Sequence, residues 1–356
     1  MEKIAIIGHF GGNEAFFDGQ TVKTKNLAQL LCGERDLSVK RVDTYYARGK
    51  KIKLLWQTVW ALLTCKHIFL LVSVNGLRVF LPLLYALNTI TRRPIYHYVI
   101  GSELLGMVKE DPKLVKYLNS FAANWFEYES GTQALRKMGV TNVDTVPNFK
   151  AIAPVAEAHA YCAEDRHYRF CTFSRVMREK GITEAIEVIA RIKKESGEIA
   201  VSLDIYGPID PTYREELDAL LSLHADCVTY RGIVESDRSV EALKDYYALL
   251  FPTTWPGEGL PGTVIDAFAA GLPVIASDWN ANKEIIRHGV QGIVYPFDDV
   301  QTLYDAIVWA LAHTDAFNEM RVACRAQFAA YMPETVLTTI RTAMRKDGKA
   351  KGNDKD

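Results

Sequence analysis

Short apolar runs of strand type recur along this chain with helical stretches between them, and the pattern occurs twice. In the first half the runs fall at residues 4–8, 38–43, 67–72, 94–99 and 125–128. In the second half they fall at 168–173, 201–206, 228–230, 248–251, 274–276 and 292–295. Strands alternating with helices predict parallel, doubly wound sheets, hence an α/β fold. At 356 residues the chain exceeds what one compact core usually holds, so the repeat predicts two Rossmann-like domains. The expected boundaries are 1–150 for the first domain, an Ala-rich linker over 151–167, and 168–333 for the second. A helix over 334–346 would follow, free to pack back on the first domain, and then a charged, apolar-poor tail over 347–356 expected to be disordered. Sheets of this kind bind ligands outside the carboxyl ends of their strands, so a cleft between the two domains is the expected site.

Composition narrows the function classes. Hydrophobic residues make up 49% and charged residues 24%, with a net charge of −1, which gives no electrostatic footprint for nucleic acid. The six cysteines form no C-x-x-C pair, and free thiols in a reducing cytoplasm are the simplest reading. The eight histidines show no metal-ligand spacing. The opening Met-Glu-Lys-Ile-Ala-Ile-Ile-Gly reads as a first strand rather than a signal peptide. Residues 68–90 are apolar but broken by Asn75, Gly76, Arg78, Pro82 and Asn88, a pattern of strand, turn and helix rather than a span. Residues 50–63 form a basic amphipathic stretch with two tryptophans. It suits either an anionic membrane surface or a core-facing helix with a solvated lysine end.

The most informative local stretch is Glu258-Gly-Leu-Pro-Gly-Thr-Val-Ile-Asp266, two acidic residues with seven between them, running into Ala-Phe-Ala-Ala-Gly-Leu-Pro-Val-Ile-Ala. Gly262 and Thr263 would open a helix, where free N–H groups and the dipole favour an anion such as a diphosphate. Glu258 would lie in the loop before it and Asp266 about one turn in. A carboxylate at each end of an anion cradle fits a nucleotide-sugar, which has ribose on one side of its phosphates and a hexose on the other. The alternative is a surface turn capping an ordinary helix.

Arg175 and Lys180 fall in the loop after the first strand of the second half. Two cations there could neutralise a diphosphate leaving group, or could be a solvated helix start. Gly207-Pro208 and Gly232-Ile233-Val234 follow strands on the same edge, where backbone groups could read a flat nucleobase or simply turn. In the first half, Gly11-Gly12 and Asp18-Gly19-Gln20-Thr21 form a Gly-rich loop. It is neither G-x-G-x-x-G nor a P-loop, yet it would allow close backbone approach to a phosphate or sugar.

Taken together, Gly11-Gly12…Asp18-Gly-Gln-Thr-Val-Lys-Thr24, Val146-Pro-Asn-Phe149, Ser174-Arg…Lys180-Gly181, Ile205-Tyr-Gly-Pro208, Tyr230-Arg-Gly-Ile-Val234 and Pro252-Thr-Thr…Glu258…Asp266…Ser277-Asp-Trp…Glu284 stand in one order over almost the whole chain. In this the chain resembles family 4 of the glycosyltransferases, with the GT-B architecture, nearest the branch that builds bacterial capsular, exopolysaccharide or O-antigen chains. The resemblance implies that Arg175 and Lys180 bind the donor diphosphate. Glu258 would contact the transferred sugar, helped by the backbone of Leu260, Pro261, Gly262 and Thr263. Asp266, one methylene shorter than the family's second glutamate, would hold the ribose hydroxyls. Gly11, Gly12, Gly19, Gln20, Gly207, Ile233 and Val234 would complete the donor site.

A histidine that many members carry after the fourth strand has no clear counterpart. His97 lies within the predicted strand, and the loop position falls at Gly101-Ser102-Glu103, which could face the acceptor. The implied reaction is retaining sugar transfer (an EC 2.4 activity) from a UDP- or GDP-linked sugar to a glycan on a lipid diphosphate. No metal or other cofactor is required, and the implied place is the cytoplasm or the cytoplasmic face of the inner membrane. The only Asp-x-Asp is Asp354-Lys-Asp356, in the tail. Two other readings use the same cradle: a nucleotide-sugar epimerase of the same fold, and a non-catalytic subunit that kept the fold and lost the chemistry.

Overall fold

The computed structural model describes residues 1–12, 14, 18–45, 49–162, 167–197, 199–297 and 299–350, the last four by backbone alone. The chain divides into two compact units, Met1–Phe149 with Met332–Asp356, and Lys150–Tyr331.

The first unit is built on a parallel six-stranded sheet. Its strands are β1 (Glu2–Gly8), β2 (Leu37–Asp43), β3 (His67–Leu71), β4 (Ile95–Tyr98), β5 (Ala123–Phe126) and β6 (Val143–Thr145), in the order β2-β1-β3-β4-β5-β6. Strands covered on both faces read as continuous apolar runs, and Ile4, Ala5, Ile6 and Ile7 are all fully buried. One face carries Ile4, Ile6, Phe69, Tyr96, Tyr98 and Trp125. Against it pack Leu27 and Leu31 of the helix Gly19–Cys32 and, from the end of the chain, Val336, Ile340 and Met344 of the helix Pro333–Ala350.

Four expectations change. A sixth strand, β6, follows the five predicted ones. The first helix starts at Gly19, because the Asp18 carboxylate accepts from the Thr21 amide at 3.0 Å and caps it, so Gly19 and Gln20 lie in a helical turn rather than a loop. The stretch expected as a linker is tied to the second unit. The Val155 amide donates to the Ala269 carbonyl at 2.9 Å, Arg325 Nε donates to the Val155 carbonyl at 2.6 Å, and the Tyr161 amide donates to Asn318 at 2.7 Å. Residues 163–166 of that stretch lie outside the described residues. Finally, the last helix runs to Ala350 rather than ending at 346, while 351–356 of the expected tail lie outside the described residues.

The second unit has a parallel sheet of β7 (His167–Phe173), β8 (Ala200–Tyr206), β9 (Val228–Gly232), β10 (Ala248–Phe251), β11 (Val274–Ser277) and β12 (Gly292–Tyr295). Their order is β12-β11-β10-β7-β8-β9, the arrangement of a dinucleotide-type doubly wound sheet. The chain leaves β7 towards one side of the sheet and returns on the other at β10. Adjacent loops therefore diverge between β7 and β10 and leave a crevice at their carboxyl ends. In the first unit the equivalent divergence is between β1 and β3. Among the described residues no helix is long and apolar enough to cross a membrane.

Candidate functional site

The crevice between β7 and β10 is where the sequence placed its cations and its first carboxylate. After β7 the chain forms a strap, residues 174–176, stitched to the loop after β8. The Ser174 amide donates to the Tyr206 carbonyl at 3.2 Å and the Val176 amide to the Pro208 carbonyl at 2.9 Å. Gly207 is required at the crossing, since a Cβ there would lie 1.8 Å from the Ser174 carbonyl oxygen. Arg175 is exposed on this strap, its guanidinium 5.3 Å from the Trp255 ring centre. Lys180 ends the short turn Arg178–Lys180. Gly181 follows in the left-handed region (φ 70°), where a Cβ would lie 2.2 Å from the Pro252 carbonyl. That close approach brings the Lys180 side chain in beside β10.

Lys180 Nζ reaches Glu258 Oε2 at 2.5 Å, and Thr253 Oγ1 donates to the same oxygen at 2.9 Å. Both charged side chains are largely buried, 10% and 9% exposed. The loop that carries Glu258 is fixed by its own polar ties. The Glu258 amide donates to the Trp255 carbonyl, Trp279 Nε1 donates to that same carbonyl, and Asn280 Nδ2 donates to the Glu258 carbonyl. Among the described residues Glu258 Oε1 accepts no hydrogen bond. One carboxylate oxygen is thus committed to Lys180 and Thr253, and the other remains available to a hydroxyl.

Asp266 is arranged differently. It sits on the helix Gly262–Ala269, only 1% exposed, with Oδ2 held by Lys150 Nζ and Oδ1 accepting from Ser239 Oγ at 2.8 Å. Burial pushes its carboxyl above the ordinary range, opposed by Lys150 and Ser239. Both oxygens are engaged, and the side chain that reaches the surface of the pair is Lys150, 11% exposed. The helix begins after Pro261, which supplies no side-chain cap, and Thr263 Oγ1 is buried without a partner among the described residues. Leu260 is buried under this turn. Gly207 accepts from Tyr230 Oη at 2.8 Å, while Ile233, about half exposed, and Val234 follow β9 on the same edge.

The residues expected from the first half lie at the carboxyl edge of the other sheet. Gly11 and Gly12 follow β1 with φ 82° and 58°, and Asp43 at the end of β2 holds the loop by accepting from the Phe10 and Gly12 amides at 2.9 Å each. Gly101, Ser102 and Glu103 follow β4, Glu103 exposed at the start of the helix Glu103–Glu110. His97 is a strand residue, fully buried on β4 and hydrogen-bonded to Asn124 at 3.1 Å. Beside the same edge, Lys23 is buried with its Nζ 2.5 Å from Glu127 and 2.7 Å from the Val99 carbonyl.

Sequence reasoning missed Ser239, Lys150 and Asp43, and gave no role to Thr253 although it stands in the quoted Pro252-Thr-Thr. Thr253 could have been flagged as a hydroxyl five residues before Glu258. Lys150 carries no local signal, because its partner lies 116 residues away. Among the described residues no three His, Cys, Asp or Glu side chains come together as a metal-ion site.

Residues 167–313, within the second unit, match the family model described as Glycosyl transferases group 1. Among curated proteins, the amylovoran biosynthesis glycosyltransferase AmsK of Erwinia amylovora is 28% identical over 153 residues, 42% of this chain and 37% of the relative. A GDP-mannose-dependent alpha-(1-6)-phosphatidylinositol monomannoside mannosyltransferase of Mycobacterium tuberculosis is 26% identical over 239 residues, 64% of this chain and 60% of the relative. The matches thus span less than two thirds of either relative. Among solved structures, Anabaena Alr3699/HepE in complex with UDP and glucose aligns with TM-score 0.72 at 14% identity, covering 97% of this chain and all of that one. Sucrose-phosphate synthase of Thermosynechococcus elongatus aligns with TM-score 0.75 at 18% identity, covering 98% and 100%. At these identities the likeness is one of fold, and it is the two-sheet GT-B fold.

Proposed function

We propose that this chain, whose residues 167–313 match the group 1 glycosyltransferase model, is a retaining glycosyltransferase of bacterial surface polysaccharide synthesis. It would move a sugar from a UDP- or GDP-linked donor to a glycan acceptor without a metal. The observation that carries this reading is the Lys180–Glu258 pair at the divergence of β7 and β10, with Glu258 Oε1 left open. A diphosphate seated there meets Lys180 and Arg175, while the transferred sugar's hydroxyls donate to Oε1. The charge that develops on the departing diphosphate is the main cost of the reaction. Fixed cations in a partly dried site are the groups best able to lower it, by several kcal/mol. The acceptor hydroxyl attacks on the face the diphosphate leaves, and the leaving phosphate takes its proton. The protein's part is positioning and charge stabilisation. The UDP, glucose and GDP-mannose named for the relatives support the donor class and leave its base open.

A lipid-linked acceptor fits the surface of the helix Lys51–Thr64. Its inner face buries Leu54, Thr58, Ala61 and Leu62. Its outer face exposes Ile52 (86%), Trp56 (62%), Leu63 (54%) and Trp60 (47%), with the two tryptophans stacked 5.6 Å apart. Lysines at 50, 51 and 53 stand at one end. Exposed aromatics beside lysines suit the headgroup layer of an anionic membrane.

The test is product analysis with a panel of UDP- and GDP-sugars, each with and without lipid-diphosphate acceptors. Transfer with one donor, giving product of unchanged anomeric configuration, is the expected result. A new nucleotide-sugar formed from donor alone would indicate an epimerase. Binding without any turnover would indicate a non-catalytic subunit.

A further inference from the structure

We propose that Lys150, and not Asp266, is the group this chain presents to the nucleotide end of its donor, contacting an anionic oxygen of the nucleoside diphosphate, with Asp266 as the positioning residue that holds it. The inference deepens the nucleotide-sugar reading above and rests on it.

The resemblance assigned ribose binding to the carboxylate at position 266. In the structure that carboxylate has no free oxygen: Lys150 Nζ takes Oδ2, Ser239 Oγ lies 2.8 Å from Oδ1, and the residue is 1% exposed. Glu258, eight positions earlier, keeps one oxygen open. The two acids of the motif therefore do different work. Glu258 can still take a ligand hydroxyl, whereas Asp266 is consumed by a lysine from outside the motif.

The lysine is placed where an anion would be welcome. Its chain crosses directly over Gly262, the first residue of the helix, where a Cβ would lie 3.1 Å from Lys150 Cε and 3.5 Å from Nζ. Beneath it the helix N-terminus has no side-chain cap, and Thr263 Oγ1 is buried without a partner among the described residues. A cation is the wrong sign for a helix N-terminus, which favours acids or hydroxyls. One buried carboxylate offsets the lysine. Among the described residues the Gly262 and Thr263 amides and the two remaining ammonium protons have no acceptor of their own. A phosphate group above Gly262 brings several anionic acceptor oxygens to these donors, whereas a ribose hydroxyl brings no charge to the same place.

The experiment measures binding of UDP, GDP and ADP to the full chain. For the nucleotide that binds, it then compares the diphosphate, its parent nucleoside and its 2′-deoxy form, on the wild type, K150Q and D266N. Circular dichroism checks the fold of each variant. K150Q is expected to lose at least about tenfold in affinity for the diphosphate while its nucleoside affinity stays within about threefold. The 2′-deoxy diphosphate is expected to bind the wild type within about threefold of the ribose form. D266N, which keeps the cation, is expected to retain its preference for diphosphate over nucleoside.

Equal losses on nucleoside and diphosphate in K150Q, or none, would overturn the proposal. So would a large 2′-deoxy penalty in the wild type that D266N abolishes, since Asp266 would then be the ribose ligand. The deoxy and D266N arms stand even where K150Q does not fold. If no diphosphate binds the wild type at all, it is the nucleotide-sugar reading that falls.

Discussion

Lys180 and Glu258, expected from the sequence to meet the donor diphosphate and the transferred sugar, are bonded to each other at 2.5 Å, with Thr253 on the shared oxygen. A buried pair of this kind is costly to break from one side, because the remaining charge loses its compensation. Lys180→Met should lower stability by about 3 kcal/mol in urea unfolding. Lys180→Met with Glu258→Gln should cost less than the two single changes added together, by about 1 kcal/mol or more. Additive losses would mean that the pair is not coupled in solution.

Gly207 and Gly19 were both suggested as points of close ligand approach, and the structure separates them. At Gly207 a Cβ would run into the Ser174 carbonyl, and φ is 133°, so Gly207→Ala should cost at least about 2 kcal/mol and displace the strap that carries Arg175. At Gly19 an added Cβ would meet nothing within 4 Å among the described residues, and the residue begins a helix. Gly19→Ala should be neutral or stabilise by up to about 0.5 kcal/mol. Thermal unfolding of the two variants checks both signs. A loss of nucleotide-sugar binding in Gly19→Ala without loss of stability would show that the space above Gly19 belongs to the ligand.

The strands were legible because a parallel sheet covered on both faces needs unbroken apolar runs, and β1, β3 and β10 have them. β6 was missed for the converse reason: it is three residues, Val143-Asp-Thr, at a sheet edge. The start of the first helix was misplaced: Asp18 three residues before Thr21 is a capping pattern, but a stretch with Gly11, Gly12 and Gly19 reads as a loop. In the candidate site, Arg175, Lys180 and Glu258 were singled out by short loop motifs together with the resemblance, and the structure brings Lys180 and Glu258 into contact. The lysine that neutralises Asp266 could not be found in this way, since contacts between residues far apart in sequence leave no local trace. A carboxylate read from a motif as a ligand can therefore be already occupied.

The last helix returns to the first unit by two kinds of contact, and they should differ in strength. Arg341 meets Glu34 and Asp36 at the surface, where Asp36 is 67% exposed and solvent screens the pair. Ile340 is fully buried among Leu27, Leu31 and Trp125. Arg341→Ala should cost about 1 kcal/mol or less, and Ile340→Ala about 3 kcal/mol. The reverse order in denaturant titrations would mean that charge, not packing, docks the helix.

His97 gives the first unit a sensitivity to acid with a defined sign. Its partner Asn124 donates through Nδ2 to the Leu118 carbonyl at 3.0 Å and to Asn142 Oδ1 at 3.0 Å, so the Asn124 oxygen is the acceptor and His97 donates from Nδ1. Its Nε2 is buried without a partner among the described residues, so a second proton there would have no acceptor. Burial, with the nearby Lys23 charge adding to it, lowers the imidazole from 6.5 to about 4. In the unfolded chain the ring takes its proton near the ordinary value, so between about 6.5 and about 4 the unfolded state binds more protons than the folded one. This contribution is complete above 6.5 and is lost as pH falls through that window. At 1.36 kcal/mol per unit, a gap of about 2.5 units amounts to roughly 3 kcal/mol at its fullest. Urea unfolding at intervals from pH 7 to pH 4 should show a steeper fall for the wild type than for His97→Gln, which has no group to titrate there. Parallel curves for the two proteins would mean that the ring at position 97 is not held neutral by the fold.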